Sequence, residues 1–347
     1  MLLLTLFACA STDMPERLLV VDRVDDGYSA VPRALPELTD ARHMEGELGR
    51  GFRGGFFRIG LLSSDLSITY VEGGDIDVHY VIDADGVGVP LDEDGLVLWT
   101  YYHTMSSVRA ELTDKGYDVS PIFPINFAYQ PVFAVQDFTS GENAAYVGGG
   151  VHMFMLLPDM LDSVIPLAAN PGVIRHEFGH SFFQLLTVGD VRAAAPYDAV
   201  DAPEGSSRAR ALNEGFADMM ATLTLDDPAF MEMSLPDMEG RDVRGDAVAS
   251  PGLYDSSDSL SFDPYALGTV YASFAWDLRE LHTPDEALGW AIEGVEGWAD
   301  EANWPDTDRW AEIALESSVR DRPSTADEAC AAYAARFPDN ETPQVCQ

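Results

Sequence analysis

Lysine is nearly missing from this chain of 347 residues: Lys115 is the single one, and every other basic residue is arginine. Bases number 20 against 59 acids, for a formal net charge of -39. Nucleic acid is therefore excluded as a partner, because a polyanion would be repelled over most of the surface. The charge speaks to solubility and environment, not to chemistry. Cysteine is scarce as well, with three residues and no zinc-finger spacing among them. After the first ten residues no apolar run approaches the roughly 20 residues of a membrane-spanning helix. No internal repeat is visible. Core-forming residues are plentiful: 46% of the chain is hydrophobic and 10% aromatic, which excludes disorder. The length allows one large domain or two lobes with shared packing.

Residues 1–10, MLLLTLFACA, read as a signal or lipobox segment. Leu6-Phe7-Ala8-Cys9 resembles a bacterial lipobox, in which the cysteine becomes the lipidated N-terminus. The protein is then exported, either as a cell-envelope lipoprotein (outer membrane or periplasm) or secreted. Its membrane contact is limited to a lipid on Cys9. Setting Cys9 aside leaves Cys330 and Cys346 as an even pair, bridged in an oxidising compartment or present as two free thiols. Nothing in the chain indicates an oligomeric state.

Residues 11–50 are charged, carry Pro15, Pro32 and Pro36, and read as a linker. An N-terminal β-rich region is expected over 51–97, where Ile76, Val78, Tyr80 and Ile82 alternate with polar neighbours. A catalytic domain is expected over 98–347. It opens on a helix near 98–115, returns to strands over 121–156, and then becomes helical. Helices are predicted near 172–187, 209–225, 264–282, 284–293, 307–320 and 325–337, the last with a capping-box pattern at Thr325 and Glu328. The fold class is α+β, with a β-rich N-terminal lobe and a mostly helical C-terminal lobe. Asp83-Ala84-Asp85-Gly86 with Asp92, Glu93 and Asp94 resembles a calcium loop but lacks EF-hand spacing. Ca2+ is thus a second candidate ion, against the simpler reading of a solvated acidic turn.

The strongest signal is His176-Glu177-Phe178-Gly179-His180. At about 100° per residue, His176 and His180 lie about 40° apart on a helix, one turn removed, and can aim two imidazoles at one ion. Glu177 falls about 60° from His180. It is poorly placed to share the ion but well placed to touch a water bound to it. Gly179 allows another backbone to approach. Catalytic zinc usually has three protein ligands and an open position. Asn213-Glu214-Gly215-Phe216-Ala217-Asp218 offers the third, Glu214. Asp218, four residues on and on the same face, can hold the free ring nitrogen of a ligand histidine. The zinc helices therefore span about 172–225.

A HExxH helix followed by E-x-x-x-D resembles the gluzincin metallopeptidases of the thermolysin and fungalysin type. Three further stretches agree in order: Leu98–Gly116 with Tyr101-Tyr102, Glu142-Asn143-Ala144-Ala145-Tyr146, and Pro264 through Leu278. The resemblance covers about 98–282. It implies a zinc site in a cleft between the two lobes, and a peptide or protein substrate whose backbone pairs with an edge strand at Asn143 and Ala144. It also implies an oxyanion donor at the position of Tyr265, where the family has histidine; Tyr197 and His152 are alternatives for that role. Metzincins fit worse, since Phe183 and Leu186 stand where their glycine and last histidine belong. The G-x-M-E-N strand of gluzincin aminopeptidases is absent, which favours an endopeptidase.

The expected chemistry is zinc-activated water attacking a peptide carbonyl, with Glu177 as general base and Tyr265 steadying the oxyanion. Its rival is a catalytically inactive, zinc-binding surface lipoprotein acting as a binding module, motivated by the tyrosine at 265.

Overall fold

Leu18 and Val20 are fully buried while the residues on either side of each are not, a period of two that makes 17–24 a strand. The computed structural model describes residues 14–24, 27–62, 65–135, 138–139, 143–157, 164–193, 206–235, 241–255, 262–301 and 306–347. In chain order the strands β1 (Arg17–Val24), β2 (Gly27–Arg33), β3 (Leu38–Asp40), β4 (Glu45–Gly46), β5 (Gly49–Arg53), β6 (Phe56–Leu62), β7 (Asp65–Val71), β8 (Gly74–Asp75), β9 (Tyr80–Ile82) and β10 (Val87–Pro90) lead into helix α1 (Glu93–Asp114). Then come β11 (Asn126–Tyr129), β12 (Val132–Val135), β13 (Phe138–Thr139), β14 (Asn143–Val147) and β15 (Met153–Leu157). The remainder is helical: α2 (Pro171–Val188), α3 (Ser206–Leu225), α4 (Pro264–Leu281), α5 (Pro284–Asp300), α6 (Arg309–Asp321) and α7 (Ala326–Arg336). The class is α+β, strand-rich first and helical after.

The expected linker over 11–50 is corrected by this order. Its described part carries β1 to β4 and the start of β5. The prolines misled because Pro32 lies in β2, an edge strand, where a missing N–H costs no ladder bond. The boundary at 98 also moves, since α1 begins at Glu93, where the Asp92 side chain accepts the Gly95 N–H. Cys9 and the whole 1–10 segment lie outside the described residues.

Three sheets form among the described residues. One runs β2-β1-β10-β9, with β1 and β10 parallel. The largest runs β14-β15-β11-β5-β4-β3, with β8 added against β5. The third runs β13-β12-β6-β7. Because β5 pairs with β11, the early strands β3, β4, β5 and β8 belong to the sheet that carries β14. One face of that sheet sends Phe127, Tyr129, Phe154 and Leu156 into the main core with α1 and α2. The other sends Phe52, Met153 and Met155 into a smaller core with Phe57. The edge at β14 is what faces the helices of the candidate site.

Helix α2 is buried along most of its length, as an apolar helix must be. Asn170 caps its start by accepting the Gly172 N–H. A Cβ built on Gly179 would stand 2.7 Å from the Ala217 Cα, so α2 and α3 touch backbone to backbone there. Gly215 repeats the device against α4, where a Cβ would meet the Gly268 carbonyl oxygen at 2.7 Å. Gly179→Val is accordingly expected to cost about 2–3 kcal/mol of stability, because neither backbone can yield without moving a helix. Urea denaturation checks this; a variant as stable as the wild type would show that the helices are free to part.

Two local expectations end differently. Thr325 makes no capping bond: its backbone is not extended, and its hydroxyl meets His282 Nε2 and the Arg322 carbonyl instead. The capping box of this region is at Thr283 and Glu286, opening α5. In the acidic stretch considered for calcium, the carboxylates of Asp83, Asp92 and Asp94 already have partners within the chain. Asp83 accepts the Asp85 and Val87 N–H groups, Asp92 caps α1, and Asp94 pairs with Arg53 and Tyr129. Cys330 and Cys346 form a disulfide that joins α7 to the tail. Among the described residues, no helix is long and apolar enough to cross a membrane.

Candidate metal centre

Three side-chain atoms converge where α2 meets α3. Nε2 of His180 is 3.2 Å from Nε2 of His176. Oε2 of Glu214 lies 3.5 Å from His176 Nε2 and 3.7 Å from His180 Nε2. An ion bonded at about 2.0–2.2 Å in a tetrahedral site has edges of about 3.3–3.6 Å, and the three separations lie in or within about 0.1 Å of that range. Oε2 of Glu214 is buried and has no hydrogen-bond partner, an arrangement that is costly unless a cation satisfies it. Among the described residues, His176, His180 and Glu214 form the one cluster of three such ligands.

Each imidazole is oriented from behind. The His176 Nδ1–H donates to Asp218 Oδ1 at 2.8 Å, and the His180 Nδ1–H donates to Asn213 Oδ1 at 3.0 Å. Both Nε2 lone pairs are thereby turned to the shared point. Asp218 is itself held by Arg241, whose Nη2 and Nε lie 2.5 and 3.2 Å from its two oxygens. The Arg241 guanidinium also stacks 4.7 Å over the ring of Tyr265.

Glu177 stands beside the triangle and outside it. Its nearest approaches to the two Nε2 atoms are 3.9 Å each, Oε1 to His176 and Oε2 to His180, longer than any edge of the triangle. Oε2 accepts the Tyr146 N–H at 2.7 Å. That bond comes from the sheet edge. Tyr146 pairs with Phe154 and Ala144 with Leu156. Since the Tyr146 N–H points away from β15, the same-phase residue Ala144 also turns its N–H and C=O away from β15. Asn143 stands one residue earlier, paired with Leu157. Tyr265, in the first turn of α4, is 44% exposed. Tyr197 lies outside the described residues. His152 cannot serve as oxyanion donor, because both ring nitrogens are engaged by Tyr146 and Ile122.

The charges follow from burial and pairing. Burial opposes the charged form of His176, but the bond to Asp218 and the nearby negative charge of Glu214 outweigh it and push its pKa up to about 9. Burial raises Glu177 above the usual carboxylate range, against the pull of both histidines and the Tyr146 amide. Burial acts the same way on Glu214 and Asp218. Attraction to His180 and then His176 keeps Glu214 low, and Arg241 and then His176 keep Asp218 low. Tyr265 is raised by burial and by Glu214.

Of the residues singled out in the sequence, His176, His180, Glu214, Glu177 and Asp218 meet at one place. Arg241 carried no signal: it lies 23 residues beyond Asp218 with no motif around it. Asn213 stood inside the quoted motif without a role. The Tyr146 amide is a backbone group, which no pattern of side chains reveals.

With this geometry established, comparison with known proteins adds the architecture. The precursor of protealysin, a metalloproteinase from Serratia proteamaculans, has a similar structure at TM-score 0.51 and 10% sequence identity, covering 82% of this chain and 86% of that one. The fold is thermolysin-like. The likeness extends well outside the 98–282 stretch on which the sequence motifs lie. No family model matches the chain, and no curated protein is similar to it in sequence. Structural likeness at this identity speaks to fold; chemistry has to be argued from the cluster itself.

Proposed function

We propose that this chain is an exported zinc-dependent endopeptidase. The observation that carries the proposal is the buried, unpartnered Oε2 of Glu214 facing the Nε2 atoms of His176 and His180. Two imidazoles and one carboxylate suit zinc in a catalytic role. Held by these three residues, zinc supplies Lewis acidity, lowering the pKa of water toward neutrality and polarising a carbonyl. Glu177 takes the proton of the attacking water and passes it to the leaving amine. Oε1 is the oxygen for this task, since Oε2 is engaged by Tyr146. Burial raises the proton affinity of Glu177, which suits a group that must hold a proton between two steps.

A peptide substrate adds to β14 as a further strand, using the outward backbone groups of Ala144, with Asn143 beside it. The Tyr265 hydroxyl donates to the developing oxyanion, and Arg241 steadies its ring. Export is supported by the Cys330–Cys346 disulfide, a bond that oxidising compartments preserve. A lipid on Cys9 is the anchor in this reading.

The test is metal analysis together with casein digestion. We expect about one zinc per chain, digestion that stops with 1,10-phenanthroline, and activity restored by added zinc. Digestion indifferent to the chelator overturns the metal mechanism. Zinc without digestion favours the binding module.

A further inference from the structure

Tyr146 joins the sheet edge to Glu177 through its backbone, and its side chain is held separately. The Tyr146 hydroxyl lies 2.8 Å from His152 Nδ1 and 3.3 Å from the Val191 carbonyl oxygen. His152 is 5% exposed, and its Nε2 lies 2.7 Å from the Ile122 carbonyl oxygen. A carbonyl only accepts, so Nε2 carries the hydrogen and Nδ1 is bare. The tyrosine hydroxyl therefore donates to Nδ1.

The backbone of His152 is left-handed, with φ of 45°. Residues other than glycine are uncommon in that region, histidine being among the less rare, and the conformation persists where surrounding contacts over-determine it. Gly148-Gly149-Gly150 stands two to four residues earlier, yet a side chain occupies this position. Its contacts run in one line, from the Ile122 carbonyl through the imidazole to the Tyr146 hydroxyl, and from the Tyr146 amide to Glu177 Oε2.

We propose that His152 is a positioning residue for the base: by holding the Tyr146 hydroxyl it fixes β14 in the register and tilt that keep the Tyr146 amide on Glu177. The inference rests on the peptidase reading for its effect on rate, though not for its geometry. An N–H on a buried carboxylate is a charge-assisted bond and directional. Holding it leaves the second oxygen, Oε1, aimed and unencumbered. Freed of His152, the tyrosine keeps the longer contact to Val191, and the edge strand gains freedom where a displacement of about 1 Å is costly to chemistry.

The experiment compares His152→Phe, Tyr146→Phe, the double variant and His152→Asn in the full-length chain. Phenylalanine keeps the ring and removes both polar contacts. Asparagine tolerates a left-handed backbone and restores an acceptor for the tyrosine. The first readout is amide hydrogen exchange of metal-free protein over residues 143–147, compared with α2. His152→Phe and Tyr146→Phe should each speed exchange in β14 while α2 stays protected. The second is cleavage of a quenched fluorogenic peptide taken from a casein site that the wild type cuts. Each Phe variant should lose about 10–100-fold in kcat with KM little changed. The double variant should lose no more than either alone, and His152→Asn should recover most of the loss. Unchanged β14 exchange in both Phe variants overturns the proposal, as do additive losses in the double variant. If the wild type cleaves no peptide, the peptidase reading fails. The exchange data still decide the positioning role, faster exchange in β14 upholding it and unchanged exchange refuting it.

Discussion

Glu177→Gln is expected to lower kcat/KM for casein-derived peptides by about 10³–10⁴-fold while the bound metal stays at the wild-type level. Glutamine has the same shape, and its carbonyl oxygen can still accept the Tyr146 N–H. It cannot take a proton, so only the base is removed. Because Glu177 is 3.9 Å from both Nε2 atoms and outside the triangle, metal content gives an internal control. Stability gives another. Burial disfavours the charge on this carboxyl, so a neutral isostere should leave the metal-free protein melting no lower than the wild type. Full activity in this variant would remove Glu177 from the mechanism.

Glu214→Gln should have its large effect on binding. The carboxylate supplies negative charge to a site with two neutral imidazole donors, and its Oε2 has no other partner. Metal affinity is expected to fall by more than the roughly 10–100-fold that loss of an outer hydrogen-bond partner costs, and hydrolysis should fall with it. Competition against a chromophoric chelator measures the affinity, and far-UV circular dichroism checks that the helices persist. Unaltered affinity would mean that the third ligand comes from elsewhere.

Legibility in the sequence tracked the range of the interaction. The two helices that carry the metal cluster were readable because HExxH and E-x-x-x-D are periodic patterns within single helices, where spacing dictates the face. Most helix ends were readable to a few residues for the same reason, but α1 starts five residues before the expected 98 and α5 runs seven past the expected 293. The strands over 17–46, inside the expected linker, were not. The partner of β1 other than β2 is β10, about seventy residues on, and β2 (GYSAVPR) offers no apolar alternation to betray it. Thr325 shows the limit of a local motif. A short 3-10 turn over Pro323–Thr325 runs directly into α7, so the threonine lacks the extended backbone that capping needs. Arg241 and His152 act across the fold, and pairs of that kind leave no spacing to read.

The outward backbone of Ala144 has a consequence for the protein as a population. An open strand edge accepts any extended chain, including a neighbouring copy of the same molecule. A net charge of -39 holds copies apart in dilute buffer. That mutual repulsion reaches only about 3 Å in 1 M salt, so in brine the charge no longer keeps a second copy from this strand edge.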